Sequence, residues 1–287
     1  MSASKSPGSV GYFDAGASQY EKTSGDCTRD LARSVVDLPQ LASMYSPDAL
    51  VLDNAAGPGI IAEEIILHAR KTGKSIPPLR VVEPAPNMIA LADAKLSALG
   101  AGDTCTTHVM LGEELGFPDD TFTHSITNLG LMFFSDGPQG VKEIYRTLKP
   151  GGVAVITCWS FMGYIDGVIR PSQAAARPSD PPYQIPLPTN WFQPEYVEKV
   201  LTEDGGFSDV VLGQRDAHFG APTLEELGTL LGQVFTYLYK DWSAAEQEKF
   251  KEAMNANIAK VAEPYTMVSG QPGFGIPMTA IVAISQK

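Results

Sequence analysis

The sequence predicts a doubly wound α/β domain with a helical roof, and three stretches carry that prediction. Residues 49–53 read as a buried strand that runs into the turn Ala55-Ala56-Gly57-Pro58-Gly59, and residues 60–69 read as a helix. A second apolar strand, residues 79–83, ends in Glu83, 24 residues past Gly59. Further along, Lys149-Pro150-Gly151-Gly152 stops a helix and launches the apolar strand 153–158. Strands alternating with helical segments build βαβ units and a parallel sheet. A strand, a turn of small residues and a helix N-terminus together make a site for a nucleotide-type cofactor, because the backbone can pass very close to the ligand.

Composition narrows the class of protein. The chain has 287 residues, 44% of them hydrophobic, which suffices for one α/β unit with insertions and a sizeable core. Its formal net charge of -12 argues against nucleic acid or an anionic membrane as the main partner. Cys27, Cys105 and Cys158 show no metal-ligand spacing, and a sparse, odd count fits a reducing compartment. Residues 1–11 are Ser/Gly-rich without an apolar centre, so they read as a disordered tail rather than a secretory signal. No apolar run approaches the roughly 20 residues that span a bilayer. The expectation is a cytoplasmic protein with no membrane partner and no metal.

The remaining elements follow in chain order. Residues 12–45 carry helical spacing at Leu31, Val35 and Leu38, with Tyr12, Phe13 and Tyr20 at the start. Residues 71–78 form a polar loop closed by two prolines, and residues 87–99 read as a helix stopped by Gly100. Residues 105–110 and 123–128 are the third and fourth strands, residues 141–148 a helix. Residues 161–192, rich in Pro, Ala and Ser, read as an insertion. Beyond it come a helix at 193–203, a strand at 208–218, helices at 223–240 and 243–261, and a closing strand at 278–285. Ser243 with Glu246 forms a capping box at the head of the last helix.

The stretch from Val51 to Gly59 resembles motif I of the class I S-adenosylmethionine (SAM) methyltransferases, acidic-x-Gly-x-Gly-x-Gly. Asp53 stands at the acidic position, and Ala55, Gly57 and Gly59 fill the three small ones. Ala55 departs from the usual glycine, tolerable where φ is negative. A pyrophosphate-binding loop is the rival reading, but a carboxylate at the strand end would repel that ligand. The run Val82-Glu83-Pro84-Ala85-Pro86-Asn87-Met88 matches the second motif of the family, and Leu148-Lys149-Pro150-Gly151-Gly152 a frequent later feature. The likeness is good over residues 49–160 and one of layout elsewhere.

The resemblance implies a Rossmann-like fold with a seven-stranded, mostly parallel sheet of order 3-2-1-4-5-7-6. It implies a single domain: lid 12–45, SAM-binding core 46–160, insertion 161–192, and C-terminal strands 193–287 with an inserted roof at 223–263. It implies SAM as cofactor and S-adenosylhomocysteine as product. Asp53 is expected to hold the methionine part, Glu83 the ribose hydroxyls, and Pro84 and Met88 to border adenine. Tyr20 is expected in the lid over the cofactor, and Asn128 and Leu129 beside it. Where the family carries an adenine-binding Asp, this chain has Leu111 followed by Gly112 and Glu113. Base recognition then falls to backbone groups, to Glu113 or to apolar stacking; Glu113 also reads as an exposed turn charge.

On the acceptor side, Tyr12, Phe133, Trp159 and Tyr164 either line a pocket for a flat, apolar molecule or fill an ordinary core. Of the four histidines, His218 is the best-placed candidate base or acceptor contact, and it reads equally as a structural residue. The run Asn128-Leu129-Gly130-Leu131-Met132-Phe133-Phe134 is similar to fungal methyltransferases of secondary metabolism with a ubiquinone/menaquinone-biosynthesis-type motif set. The expected partner is a small-molecule acceptor, methylated on O or S ahead of N, and the expected state is a monomer or homodimer. The alternative from another class is a SAM-binding regulator or partner subunit without turnover.

Overall fold

The computed structural model describes residues 7–287. The chain opens on short helices, α1 (Val10–Gly16), α2 (Tyr20–Thr23) and α3 (Cys27–Val36), followed by a 3-10 stretch at Pro39–Tyr45. Strand β1 (Val51–Asn54) leads into α4 (Ile60–Thr72), β2 (Leu79–Val82) into α5 (Pro86–Ala98), and β3 (Cys105–His108) into β4 (Phe122–Asn128). Helix α6 (Gly137–Thr147) then delivers β5 (Leu148–Met162).

These five strands pair in parallel, in the order β3-β2-β1-β4-β5. All four residues of β1 are buried, as expected of a strand covered on both faces. Helix α4 buries Ile61, Ile65 and Ala69 against the sheet and stops where Gly73 takes φ 68°. Pro86 opens α5 at a position where its missing N–H costs nothing.

The second half is antiparallel. A π-helical turn (Ile165–Ile169), α7 (Arg170–Ala176) and a 3-10 turn (Thr189–Phe192) make up the insertion. Helix α8 (Pro194–Lys199) precedes β6 (Asp209–Ala221). The roof is α9 (Leu224–Val234), α10 (Thr236–Tyr239) and α11 (Ala244–Val261), followed by β7 (Glu263–Thr266) and β8 (Pro272–Gln286). Strand β8 lies between β5 and β6, antiparallel to both, so the order 3-2-1-4-5-7-6 holds for the main path. The capping box at Ser243 and Glu246 forms.

Four expectations are corrected. The sheet has eight strands, because β7 adds to β8. Its sequence, Glu-Pro-Tyr-Thr, is too short and too Pro-marked to signal a strand, and an edge position is where proline is tolerated. Strand β8 begins at Pro272, not at 278, because Gly273 and Gly275 occupy places where a side chain would strike Met267 and His218. The helix expected over 223–240 breaks at Phe235 into α9 and α10. Finally, the tail expected over 1–11 is ordered where it is described: residues 7–9 form a turn and bend, and Val10 begins α1. Residues 1–6 of that expected tail lie outside the described residues.

Candidate functional site

The C-terminal ends of β1, β2 and β4 meet under the N-terminal helices, where a ligand crevice is expected in such a sheet. The turn after β1 holds Ala55 at φ 55°, Gly57 at φ 54° and Gly59 at φ 77°. Ala55 is therefore left-handed, against the negative φ expected of it, at a cost of roughly 1–2 kcal/mol for a residue with a Cβ. Its methyl group finds room because Gly130 opposite has none: a Cβ there would sit 2.5 Å from that of Ala55.

Asp53 is 1% exposed. Its Oδ2 accepts the Ala62 N–H at 3.1 Å, in the first turn of α4, while its Oδ1 is buried without a partner. Burial pushes its carboxyl up to about 7, the Ala62 N–H opposes this, and the nearby charge of Glu83 adds to it. Glu83 lies at the end of β2. Its Oε2 accepts the Gly57 N–H at 3.0 Å and its Oε1 the Ala85 N–H at 3.1 Å, so the two motifs are bonded to each other. Burial raises its pKa, and those two N–H groups oppose the shift.

At the end of β4, Asn128 accepts from Thr157 Oγ1 at 2.8 Å and donates to the Thr28 carbonyl at 3.4 Å. Leu129 follows at φ 58°, its N–H held by Thr157 Oγ1 at 2.9 Å. Such strain away from glycine is characteristic of functional sites.

A cavity of about 980 Å³, its mouth included, runs between these strand ends and the lid. Of the residues singled out in the sequence, it is lined by Tyr20, Ala55, Gly57, Glu83, Pro84, Met88, Gly112, Glu113, Asn128, Leu129 and Phe133. A smaller annex shares Tyr20, Ala55, Gly57 and Asn128 with it and reaches Asp53. The lid closes over the cavity through Phe13, whose ring meets Phe133 and Tyr20 edge-on at 5.0 and 6.2 Å. Two polar contacts fasten it. Asp14 accepts the Asn87 N–H at 2.8 Å and its side-chain amide at 3.1 Å. Glu21 pairs with Arg29 at 2.5 Å and Lys95 at 2.6 Å.

The other expected residues are not brought to the cavity. Gly59 heads α4, where its lack of a Cβ lets α4 approach Ala92 of α5. Tyr12 stands on the lid, half-exposed, with its ring edge-on to Phe13. Trp159 is buried in β5 opposite Ala280. Tyr164 packs between Phe219 and Phe235 and donates to Met162 Sδ. His218 lies on β6, its Nε2 3.0 Å from Glu263 Oε1 and its ring stacked on Tyr265. Tyr12 belongs to the lid surface. The other three belong to core or roof, because β5 and β6 run further than the sequence suggests and carry them past the strand ends.

Conversely, Gly8, Ser9, Val10, Leu111, Gly130, Phe134 and Ser135 line the cavity and Thr28 the annex. Phe134 and Ser135 adjoin the run after β4, which could have signalled them. Nothing local marks Thr28 or Gly8.

A mostly parallel sheet of this order, with helices on both faces and a cavity at its strand ends, defines a Rossmann-like α/β fold. Residues 52–156 match the family described as a methyltransferase domain. The chain is similar to the ubiquinone/menaquinone biosynthesis C-methyltransferase of Geotalea daltonii, 34% identical over 112 residues, 39% of this chain and 46% of the relative. It is similar to the methyltransferase tpcH of Aspergillus fumigatus, 20% identical over 243 residues, 81% of this chain and 83% of the other. Among solved structures, a putative sarcosine dimethylglycine methyltransferase from Galdieria sulphuraria shares the fold. It is 15% identical, with a TM-score of 0.52 over 90% of this chain and 84% of that one. The chain spans about half the length of the first curated relatives it matches. No helix among the described residues is long and apolar enough to cross a membrane, and no group of three or more His, Cys, Asp or Glu there could hold a metal.

Proposed function

We propose that this protein is a SAM-dependent methyltransferase acting by in-line displacement on an O or S atom of a small apolar or aromatic secondary metabolite. The observation that carries the reading is Asp53 Oδ1. It is a buried carboxylate oxygen without a partner, on a residue that lines an annex sharing Tyr20, Ala55, Gly57 and Asn128 with the cavity that Glu83 borders. A ligand with a cationic end and a diol fits that pair of carboxylates, and a phosphate ligand does not.

Bound SAM would supply a methyl group already activated on a sulfonium. The chain's task is to orient and to exclude water. Asp53 attracts the cationic end. Glu83, steadied by the Gly57 and Ala85 N–H groups, keeps lone pairs for ribose hydroxyls. Phe13, Tyr20 and Phe133 cover the cavity. Tyr20, Glu83 and Glu113 are the titratable side chains that line it among the described residues, so the reading assigns no histidine base. A thiol acceptor (free pKa about 8.5) ionises unaided, which is why sulfur ranks beside oxygen. A carbon acceptor is the second reading, favoured by the name of the Geotalea relative.

Calorimetric titration with SAM and with S-adenosylhomocysteine tests the cofactor, and mass-shift screening of thiols and phenols tests the acceptor. Micromolar binding of both ligands followed by methylated product supports the reading. A folded protein that binds neither ligand removes it; binding without any product favours the regulatory alternative.

A further inference from the structure

The cavity and its annex share the lining residues Tyr20, Ala55, Gly57 and Asn128, which therefore stand at the neck where the two spaces adjoin. Tyr20 belongs to the lid. Ala55 and Gly57 bring no polar side chain, and the Gly57 N–H is already given to Glu83. The Asn128 amide is thus the polar side chain that the sheet itself brings to the neck. It stands on the last residue of β4, just before left-handed Leu129 and then Gly130, whose missing Cβ leaves room for the Ala55 methyl. The shape of the neck depends on how the turn after β4 is held.

One hydroxyl on the next strand holds it. Thr157 of β5 is the register partner of Asn128 and is fully buried. On its other side it pairs with Val282 of β8, so its place is fixed from both flanks. Its Oγ1 accepts the Leu129 N–H at 2.9 Å and donates to Asn128 Oδ1 at 2.8 Å. The direction follows from the groups involved. A backbone N–H can only donate, so the single hydroxyl proton of Thr157 is left for the amide oxygen. At the far end the amide nitrogen donates to the Thr28 carbonyl at 3.4 Å, and a carbonyl can only accept. The amide is therefore oriented from both ends, and the chain of bonds ties α3 to β4 and β5 beside the annex that Thr28 and Asn128 line.

We infer that Thr157 is a positioning residue: its hydroxyl sets the Asn128 amide and the bend at Leu129, and so decides whether one ligand can occupy the cavity and the annex at once. The inference rests on the reading of the cavity as a SAM site. Thr157 itself lines neither space, so it acts through the turn. Without the hydroxyl, Asn128 Oδ1 loses its donor, and the Leu129 N–H keeps only the Thr157 carbonyl at 3.2 Å. A buried acceptor left unmade is costly, and the turn relieves it by shifting. Any shift of Gly130 bears on Ala55 across the neck. A ligand confined to the cavity is little affected by that change, whereas one threaded through the neck loses its fit.

The test compares S-adenosylhomocysteine, long enough to pass the neck, with 5′-methylthioadenosine, which ends one carbon beyond the sulfur, by calorimetric titration of the whole chain. The wild-type protein is expected to bind the longer ligand at least tenfold more tightly. Thr157→Val, which puts a methyl in place of the hydroxyl, is expected to cut that ratio several-fold by weakening S-adenosylhomocysteine. Thr157→Ser keeps the hydroxyl and is expected to keep the ratio. A merely structural role would weaken both ligands together and leave the ratio alone. Should Thr157→Val fail to fold, Thr157→Ala, which adds no group at the site, serves in its place. Near-equal affinities in the wild type overturn the inference whatever the variants do. A ratio unmoved by loss of the hydroxyl overturns it, as does one lowered equally by Thr157→Ser. Binding of neither ligand by the folded wild type instead removes the cofactor reading, and this inference falls with it.

Discussion

The methyl group of Ala55 occupies the space that Gly130 leaves open, and this contact joins the turn after β1 to the turn after β4. Ala55 carries the strain of a left-handed φ of 55°, and Gly130 lets it do so. Gly130→Ala is expected to destabilise the protein by roughly 1–3 kcal/mol through overpacking. Ala55→Gly is expected to be near neutral, because relief of left-handed strain offsets the added freedom of the unfolded chain. The double variant should recover most of the loss. Urea denaturation of the four proteins measures the coupling; strict additivity would deny the contact.

Asp53 makes the ligand-free protein sensitive to pH. Its folded pKa, about 7, lies above the unfolded value near 3.8. The folded state therefore resists ionisation. Stability is unaffected below about pH 4, falls as pH rises toward 7, and is level beyond. Asp53→Asn should abolish this slope and stabilise the ligand-free protein at pH 8. The gain is at most a few kcal/mol, since each tenfold change in the ionisation equilibrium is worth about 1.4 kcal/mol. The same variant should bind SAM at least tenfold more weakly. Wild-type affinity for SAM should rise from pH 6 to pH 8. Melting curves at pH 5 and 8, with titrations at three pH values, check all three expectations, and a stability that rises with pH through this group would contradict the assignment.

Glu21 fastens the lid through charge. Arg29 holds Glu21, Glu63 and Glu64 together, and Lys95 spans Glu21 and Glu63. Glu21→Gln should speed dissociation of S-adenosylhomocysteine several-fold in stopped flow. High salt should mimic the effect in the wild type, since the Glu21 side chain is 41% exposed. Identical dissociation rates at low salt would show that the lid closes on its aromatic contacts alone.

His218 is a structural residue in this arrangement. His218→Ala removes its contact with Glu263 and its stacking on Tyr265, and so should loosen β7. A loss of up to about 1 kcal/mol is expected for a half-exposed pair. SAM affinity and turnover should both persist. A variant of normal stability but without turnover would restore the histidine as a base.

Asp53, Glu83 and the glycines between them are legible in the chain because each sits in a local pattern of strand, turn and helix. The parallel half of the sheet is legible for the same reason. The acceptor side is not. Trp159 and Tyr164 reach the cavity mouth only if β5 ends near Cys158, whereas its pairing with β8 continues to Met162. That pairing depends on residues more than a hundred positions away and leaves no local trace. Strand β7 is hidden by Pro264, and Gly8 to Val10 by a polar composition that reads as a tail. Glu113 is legible as a charge near the site, but the donors that orient it lie on another loop.

Helix α5 has no cap of its own, for Ala85 cannot supply one. Pro86 has no N–H, and the oxygen that satisfies the first N–H of the helix, that of Asn87, comes from Asp14, on the lid. The carboxylate that fastens the lid is therefore also the one that finishes α5, one residue before Met88 in the cavity wall. Lid and wall share a single side chain, so a change at Asp14 acts on both at once.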